Sequence, residues 1–260
     1  VARILAVANQ KGGVGKTTTS VNLSASLAAM EIPTLLVDMD PQSNASSGVG
    51  GDPGGDGERN VYRVLTGEIG AAEAIRETEL PGLHVLPASR DLIGAEIELV
   101  SVEGRERVLK EALAPVADRY GAVVIDCPPS LGLLTVNSLC AAGSVLIPLQ
   151  CEYYALEGLS ALFDTIGKVR DSLNPTLAVE GVLLTMFDGR NSLAHQVASE
   201  ARENLKDQVF QTVIPRNVRL SESPSFGKPA LLYAVSSRGA QSYLELAREM
   251  VQRWNASPTV

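Results

Sequence analysis

Gln10-Lys11-Gly12-Gly13-Val14-Gly15-Lys16-Thr17-Thr18-Thr19 follows a short apolar run at 4–8 and leads into a helical pattern at 17–30. A glycine-rich turn between a strand and a helix N-terminus brings successive backbone N–H groups onto phosphate oxygens. The helix dipole adds its positive end at the same place. In that geometry Lys16 reaches the β- and γ-phosphates of a nucleotide and the Thr17 hydroxyl ligates Mg²⁺. Measured against the spacing GxxxxGK(S/T), Gln10 stands at the first glycine position. Gly12 and Gly13 supply the conformational freedom instead, and a second lysine, Lys11, stands in the loop. Two lysines held this close repel unless an anion sits between them.

Outward from this turn, short β-rich runs alternate with longer helical ones, the pattern of an α/β protein with a mostly parallel sheet. Strands are predicted at 4–8, 34–38, 83–87, 122–126, 144–148, 179–185 and 209–213. Helices are predicted at 17–30, 96–120, 158–173, 193–205 and 237–254. Leu35-Leu36-Val37 and Val123-Val124-Ile125 lack polar alternation, as strands buried on both faces do. The expected fold is therefore a twisted, mostly parallel sheet flanked by helices on both faces. Residues 48–57 hold six glycines and a proline and read as a flexible surface loop. No stretch reads as an interdomain linker, so one domain over 1–260 is expected.

Composition narrows the function classes. The 260 residues are 45% hydrophobic and 20% charged, with mean hydropathy +0.10, which fits a globular protein with a sizeable core. No apolar run approaches the roughly 18 to 20 residues of a membrane span. The chain enters a strand-like run at once, without the basic, apolar and small-residue series of a secretory leader. It starts at Val1 rather than Met, so an initiator or short tail is expected ahead of it. Cys127, Cys140 and Cys151 form no CxxC and are odd in number, which reads as buried reduced thiols rather than a disulfide framework. His84 and His195 lie too far apart in sequence to suggest a metal site.

The net charge of −8 argues, taken alone, against a nucleic-acid partner. The distribution says more. Residues 38–111 hold 15 acidic and 7 basic side chains and account for the whole imbalance. Residues 212–253 hold six basic residues (Arg216, Arg219, Lys228, Arg238, Arg248, Arg253) against three acidic ones, which permits a local basic face. In the last helical stretch Tyr243, Ala247, Met250 and Trp254 fall at helical spacing and the charges cancel. A helix lying on a membrane surface is rich in Lys and Arg on its polar face, so this one is expected to pack into the core.

Two acidic positions belong with the phosphate turn. One strand ends in Asp38-Met39-Asp40-Pro41-Gln42 and another in Asp126-Cys127-Pro128-Pro129-Ser130. In an open α/β sheet the carboxyl ends of the strands face the ligand crevice. Asp126 reads as the carboxylate that holds Mg²⁺ through a water. Asp38 and Asp40 alternate along the strand end, so only one of them readily points at an attacking water. For either, the alternative is a side chain that simply caps the following turn.

Lys11-Gly12-Gly13-Val14-Gly15-Lys16-Thr17-Thr18 resembles the deviant Walker A motif of the P-loop NTPases that include the ParA/Soj partition proteins, MinD and the nitrogenase iron protein. Later blocks resemble the chromosomal ParA/Soj branch: Asp38 to Gln42, Asp126 to Ser130, Gln150-Cys151-Glu152-Tyr153-Tyr154-Ala155-Leu156-Glu157-Gly158 and Ile214-Pro215-Arg216-Asn217-Val218-Arg219-Leu220-Ser221-Glu222. The resemblance runs from Ile4 to about Val251.

It implies an ATP- and Mg²⁺-dependent ATPase, slow without its partner and DNA, that closes into a nucleotide-sandwich homodimer. Lys11 is then the signature lysine, reaching across the dimer to the partner's phosphates. Asp40 orients the hydrolytic water, with Asp38 near the Mg²⁺ shell beside Thr17 and Asp126. Pro215 and Asn217 contact adenine, and Glu152 approaches nucleotide and dimer interface. Arg190 and Arg219 match arginines used for sequence-nonspecific binding of double-stranded DNA; the alternative for each is an ordinary solvated charge. The implied partner is a centromere-binding protein of ParB/Spo0J type, and the implied place is the cytoplasm, on the nucleoid. A MinD-like membrane ATPase is the alternative that the neutral last helix argues against. A nitrogenase-type iron protein would need two suitably flanked cysteines, which none of the three is. Pooling two small basic patches in a dimer would make DNA binding depend on ATP despite the acidity of the chain.

Overall fold

The computed structural model describes residues 2–51, 58–152 and 155–256. Eight strands form one sheet: β1 (Arg3–Val7), β2 (Thr34–Asp38), β3 (Arg76–Glu77), β4 (Leu83–Leu86), β5 (Ala122–Asp126), β6 (Ser144–Gln150), β7 (Ala178–Phe187) and β8 (Val209–Pro215). Their order is β3-β4-β2-β5-β1-β6-β7-β8, and every neighbouring pair is parallel except β3 with β4. The helices are α1 (Lys16–Ala29), α2 (Asn44–Gly48), α3 (Val61–Leu65), α4 (Ala71–Ala74), α5 (Leu92–Glu98), α6 (Val108–Ala117), α7 (Leu133–Ala141), α8 (Ala155–Ser172), α9 (Ser192–Leu205), α10 (Val218–Glu222), α11 (Ala230–Tyr233) and α12 (Arg238–Ala256).

The two faces of the sheet follow from the period of two along each strand. Leu5, Val7, Leu36, Val124, Leu146 and Leu183 point into one core with α1 and α12. Their neighbours point the other way, Ala6, Val145, Ile147 and Val182 onto α7, α8 and α9, and Leu35, Val37, Val123 and Ile125 onto α3 to α6. Strands covered on both faces need no polar alternation, which is why Leu35-Leu36-Val37 reads as one apolar run.

The apolar stripe of α12 is in the core as its spacing predicts. Tyr243, Ala247 and Met250 are buried with Leu246 beside them, while Trp254 at the end of the stripe is only partly buried against the same core. The polar side of the same helix is tied to β8, where Glu249 accepts the N–H groups of Gln211 and Thr212 at 2.9 Å.

Two expectations need correction. The single helix predicted over 96–120 is broken, with 3₁₀ turns at Leu99–Ser101 and Arg105–Arg107 separating α5 from α6. Gly104, at φ +72, turns the chain there. The loop read over 48–57 begins in order instead: Gly48 closes α2 and the Gly51 N–H donates to Ser46 O at 2.9 Å. The remainder of that loop, 52–57, lies outside the described residues, as do Val1 and, in the block at 150–158, Tyr153 and Tyr154.

Candidate active site at the carboxyl ends of the central strands

β1 lies between β5 and β6, where the strand order reverses, and the loop leaving it opens at this switch point, where such sheets bind ligands. Gly13 and Gly15 sit at φ +75 and +89, in the left-handed region that the turn requires and that glycine enters without strain. Gly15 is the residue that caps α1. The loop is pinned from two strands away by Thr185 on β7, whose hydroxyl donates to Val14 O at 2.8 Å. At its entry, Asn9 Nδ2 donates to Pro148 O at 2.7 Å and Asn9 Oδ1 accepts the Lys11 N–H at 3.0 Å.

A cavity of about 360 Å³ opens over this loop. Gly12, Gly13, Gly15, Lys16, Thr17, Thr18 and Asp40 line it together with Gln42, Asn44, Pro129 and Met186. Val14 is buried behind it. Lys16 is largely buried and its Nζ donates to Lys11 O at 3.3 Å. Burial pulls the Lys16 ammonium below its ordinary pKa, and the charges of Asp126 and Asp40 oppose that pull. A buried cation kept charged mainly by carboxylates gains further when a phosphate enters.

Asp38 and Asp126 are register partners at the ends of β2 and β5 and both are fully buried. Burial pushes both carboxyls above the usual range, and the charge of Asp38 adds to the shift at Asp126. Their surroundings differ. Asp38 Oδ2 accepts from the N–H and the hydroxyl of Ser46, each at 2.7 Å, and Oδ1 accepts from the Asp40 N–H at 3.1 Å. It therefore holds the turn that follows it while lying beside Asp126 at the strand ends. Asp126 Oδ1 accepts from Ser20, while Oδ2 is buried without a hydrogen-bond partner. An orphaned carboxylate oxygen beside Thr17 and a buried lysine fits a hydrated divalent cation. Asp40 accepts the Gln42 N–H at 2.9 Å on Oδ1 and still reaches the cavity.

The remaining predicted residues lie elsewhere. Lys11 points out of the cavity, its Nζ 2.9 Å from Glu152 Oε2, and both side chains are about half exposed. Pro215 ends β8, and Asn217 caps α10 by accepting the Arg219 N–H at 2.9 Å. Arg190 and Arg219 are exposed on the same edge of the molecule's ligand side, near the ends of β7 and β8. Pro215 and Arg190 share a second cavity with Arg216 and Arg238. Ser20, Ser46 and Thr185 were not among the residues singled out from sequence, and Arg216 and Arg238 entered there only as members of a basic stretch. The serines are the clearest omissions, since a buried carboxylate always requires donors but nothing in the order of residues says which.

The three cysteines are free and buried. Burial raises all three thiols, Cys127 to about 12 and Cys151 to about 11. Among the described residues no cluster of three His, Cys, Asp or Glu side chains is placed to hold a metal by itself.

Comparison with known proteins identifies the family. The AAA domain family matches residues 2–179. Chromosome partitioning protein ParA of Myxococcus xanthus is 57% identical over 253 residues, covering 97% of this chain and 89% of that protein. Sporulation initiation inhibitor protein Soj of Bacillus subtilis is 54% identical over 250 residues, covering 96% and 98%. The crystal structure of cobyrinic acid a,c-diamide synthase from Mycobacterium smegmatis with bound ATP analog and magnesium superposes with a TM-score of 0.86 at 38% identity, covering 98% and 97%. More than half of the aligned residues are thus identical to those of partition proteins over nearly the whole of this chain, and the chain belongs to the ParA/Soj family of chromosome-partitioning P-loop ATPases.

Proposed function

We propose that this chain, acting as one domain over 1–260, binds and hydrolyses ATP with Mg²⁺ to switch its hold on DNA. The observation that carries the reading is the division of labour between the two lysines. Lys16 faces the phosphate cavity with Thr17 and Asp40, whereas Lys11 stands outside it on the surface. A lysine so placed, turned away from its own chain's phosphate cavity, suits a phosphate presented by a second copy, which is what a sandwich of two copies supplies.

Backbone N–H groups of Gly12 to Thr18 hold the phosphates, and Lys16 neutralises them. Thr17 and Asp126 hold the Mg²⁺, with Asp38 keeping the Asp40 turn in place beside its shell. When bound, Mg²⁺ neutralises charge on the β- and γ-oxygens. Asp40 orients the attacking water. Lys11 of each copy adds positive charge where negative charge accumulates in the transition state. Pro215 and Asn217 face adenine, and Glu152 lies at the edge of the interface. Turnover by the isolated chain is slow because this arrangement is complete only in the closed dimer.

The ATP dimer binds double-stranded DNA without sequence preference through Arg190 and Arg219. A ParB/Spo0J-type partner stimulates hydrolysis and releases it, which places the protein in the cytoplasm, on the nucleoid. The apolar face of α12 is used by the core, which counts against the MinD-like membrane reading. The test is binding to random-sequence duplex DNA with ATP, ADP or no nucleotide at several salt concentrations. Binding with ATP alone, weakened steeply by salt, is expected. Equal binding in all three states would overturn the switch.

A further inference from the structure

Neither arginine of the DNA reading has its guanidinium to itself. Arg190 clasps its neighbour Asp188 through two bonds, Nε to Oδ1 at 3.0 Å and Nη2 to Oδ2 at 2.9 Å. The Arg190 N–H adds a third, to Oδ1 at 3.1 Å. Arg219 Nη1 donates to Glu222 Oε2 at 2.7 Å, an oxygen that also accepts from the Tyr233 hydroxyl at 3.3 Å. Hydrogen bonds from Arg190 hold the Asp188 carboxyl well below the usual range, at about 2, and the charge of Arg216 adds a smaller pull the same way. Asp188 is therefore ionised at any working pH. A phosphate that approaches Arg190 must compete with a carboxylate already in a bidentate pair.

Arg216 and Arg238 are different. Both are exposed, and neither has an ion-pair partner among the described residues. With Arg190, Asp188 and Ser242 they line a cavity of about 800 Å³. The Arg216 N–H donates to Phe187 O at 3.1 Å, which fixes it against the end of β7 beside the Asp188 turn. Arg238 is the first residue of α12, and Ser242 lies one turn further along. Three guanidinium groups thus share the wall of one cavity with a single carboxylate.

We propose that this cavity is a subsite for the phosphate backbone of duplex DNA in which Arg216 and Arg238 make the contacts and Asp188 limits affinity by holding Arg190. The inference rests on the DNA reading above. Counterion release counts the cations that phosphates newly neutralise. An arginine already paired within the chain adds less to that count than a free one.

The experiment is equilibrium binding of random-sequence duplex DNA to the full chain with Mg²⁺ and a slowly hydrolysed ATP analogue, across a salt series. Arg216→Ala and Arg238→Ala are each expected to weaken binding severalfold. Each should flatten the dependence of log K on log salt by about one unit per protomer. Arg238→Lys should keep the wild-type slope. Asp188→Asn should tighten binding and steepen the slope. Arg248→Ala, exposed on α12 but outside the cavity, should change neither. Wild-type DNA binding with unchanged slopes in Arg216→Ala and Arg238→Ala would overturn this inference and leave the DNA reading standing. No wild-type binding to DNA in any nucleotide state would overturn both. Binding to phosphatidylglycerol vesicles that is lost in Arg216→Ala, with DNA binding intact, would assign the cavity to lipid and overturn the inference as well.

Discussion

Ser20 Oγ donates a 2.8 Å hydrogen bond to Oδ1 of Asp126, joining the second turn of α1 to the end of β5. The bond supports a carboxylate that is fully buried and whose other oxygen has no partner. Removing the hydroxyl leaves both oxygens without a serine donor. Ser20→Ala is expected to cost about 1–3 kcal/mol of folding stability, the penalty of an unsatisfied buried group. Urea denaturation without nucleotide measures it. A loss below about 0.5 kcal/mol would mean that water replaces the serine.

The two sides of the phosphate cavity separate binding from turnover. Lys16→Ala should abolish nucleotide-driven dimerisation, read by light scattering with and without ATP. Asp40→Ala should retain an ATP-dependent dimer that binds DNA, with turnover lowered about 10²- to 10⁴-fold, the usual span for a proton-handling group. Normal turnover in that variant would remove Asp40 from its proposed role.

The ion pair between Lys11 and Glu152 is exposed, and such pairs contribute at most about 1 kcal/mol. Glu152→Gln should leave the melting temperature where it is. Because it frees Lys11 to reach a second copy, the ATP-dependent dimer should form at lower protein concentration. A weaker dimer would instead make Glu152 an interface contact in its own right. Sedimentation across a concentration series distinguishes the outcomes.

Thr19 Oγ1 and the Tyr243 hydroxyl lie 3.1 Å apart in the core, linking the phosphate helix to the last helix. Tyr243→Phe should cost about 1 kcal/mol, the net worth of one buried hydrogen bond. Tyr243→Ala should cost about 3–5 kcal/mol, as large aromatic deletions do. Equal losses would show that the hydroxyl contact, rather than ring packing, holds α12 in place.

Burial raises the Cys151 thiol to about 11. At pH 8 it is almost wholly protonated, and the thiolate is the reactive form. The native protein should therefore react negligibly with an aromatic disulfide reagent at that pH, and all three cysteines should react once it is unfolded. Fast reaction of the native chain would place a thiol at the surface.

The parts legible in the sequence are those whose physics is local. A glycine turn followed by Lys16-Thr17 fixes strand, loop and helix together, and runs such as Val123-Val124-Ile125 announce strands covered on both faces. What escapes depends on partners distant in the chain. β3 is two polar residues, Arg76 and Glu77, ordered by antiparallel pairing with β4. α7 is buried over most of its length, so no polar face marks its period. The pairing of Ser20 with Asp126 spans 106 positions. The self-pairing of Arg190 with Asp188 and of Arg219 with Glu222 is close in sequence, yet charge counts alone treat those cations as free.

The two neighbours of β1 are β5 and β6, and its loop is fastened by Pro148 and Thr185. Among the described residues, no segment of the first hundred pairs with the strand that carries the phosphate loop. The turn that presents Lys16 is thus fastened by bonds spanning 139 and 171 positions of sequence, so its final shape depends on the later half of the chain.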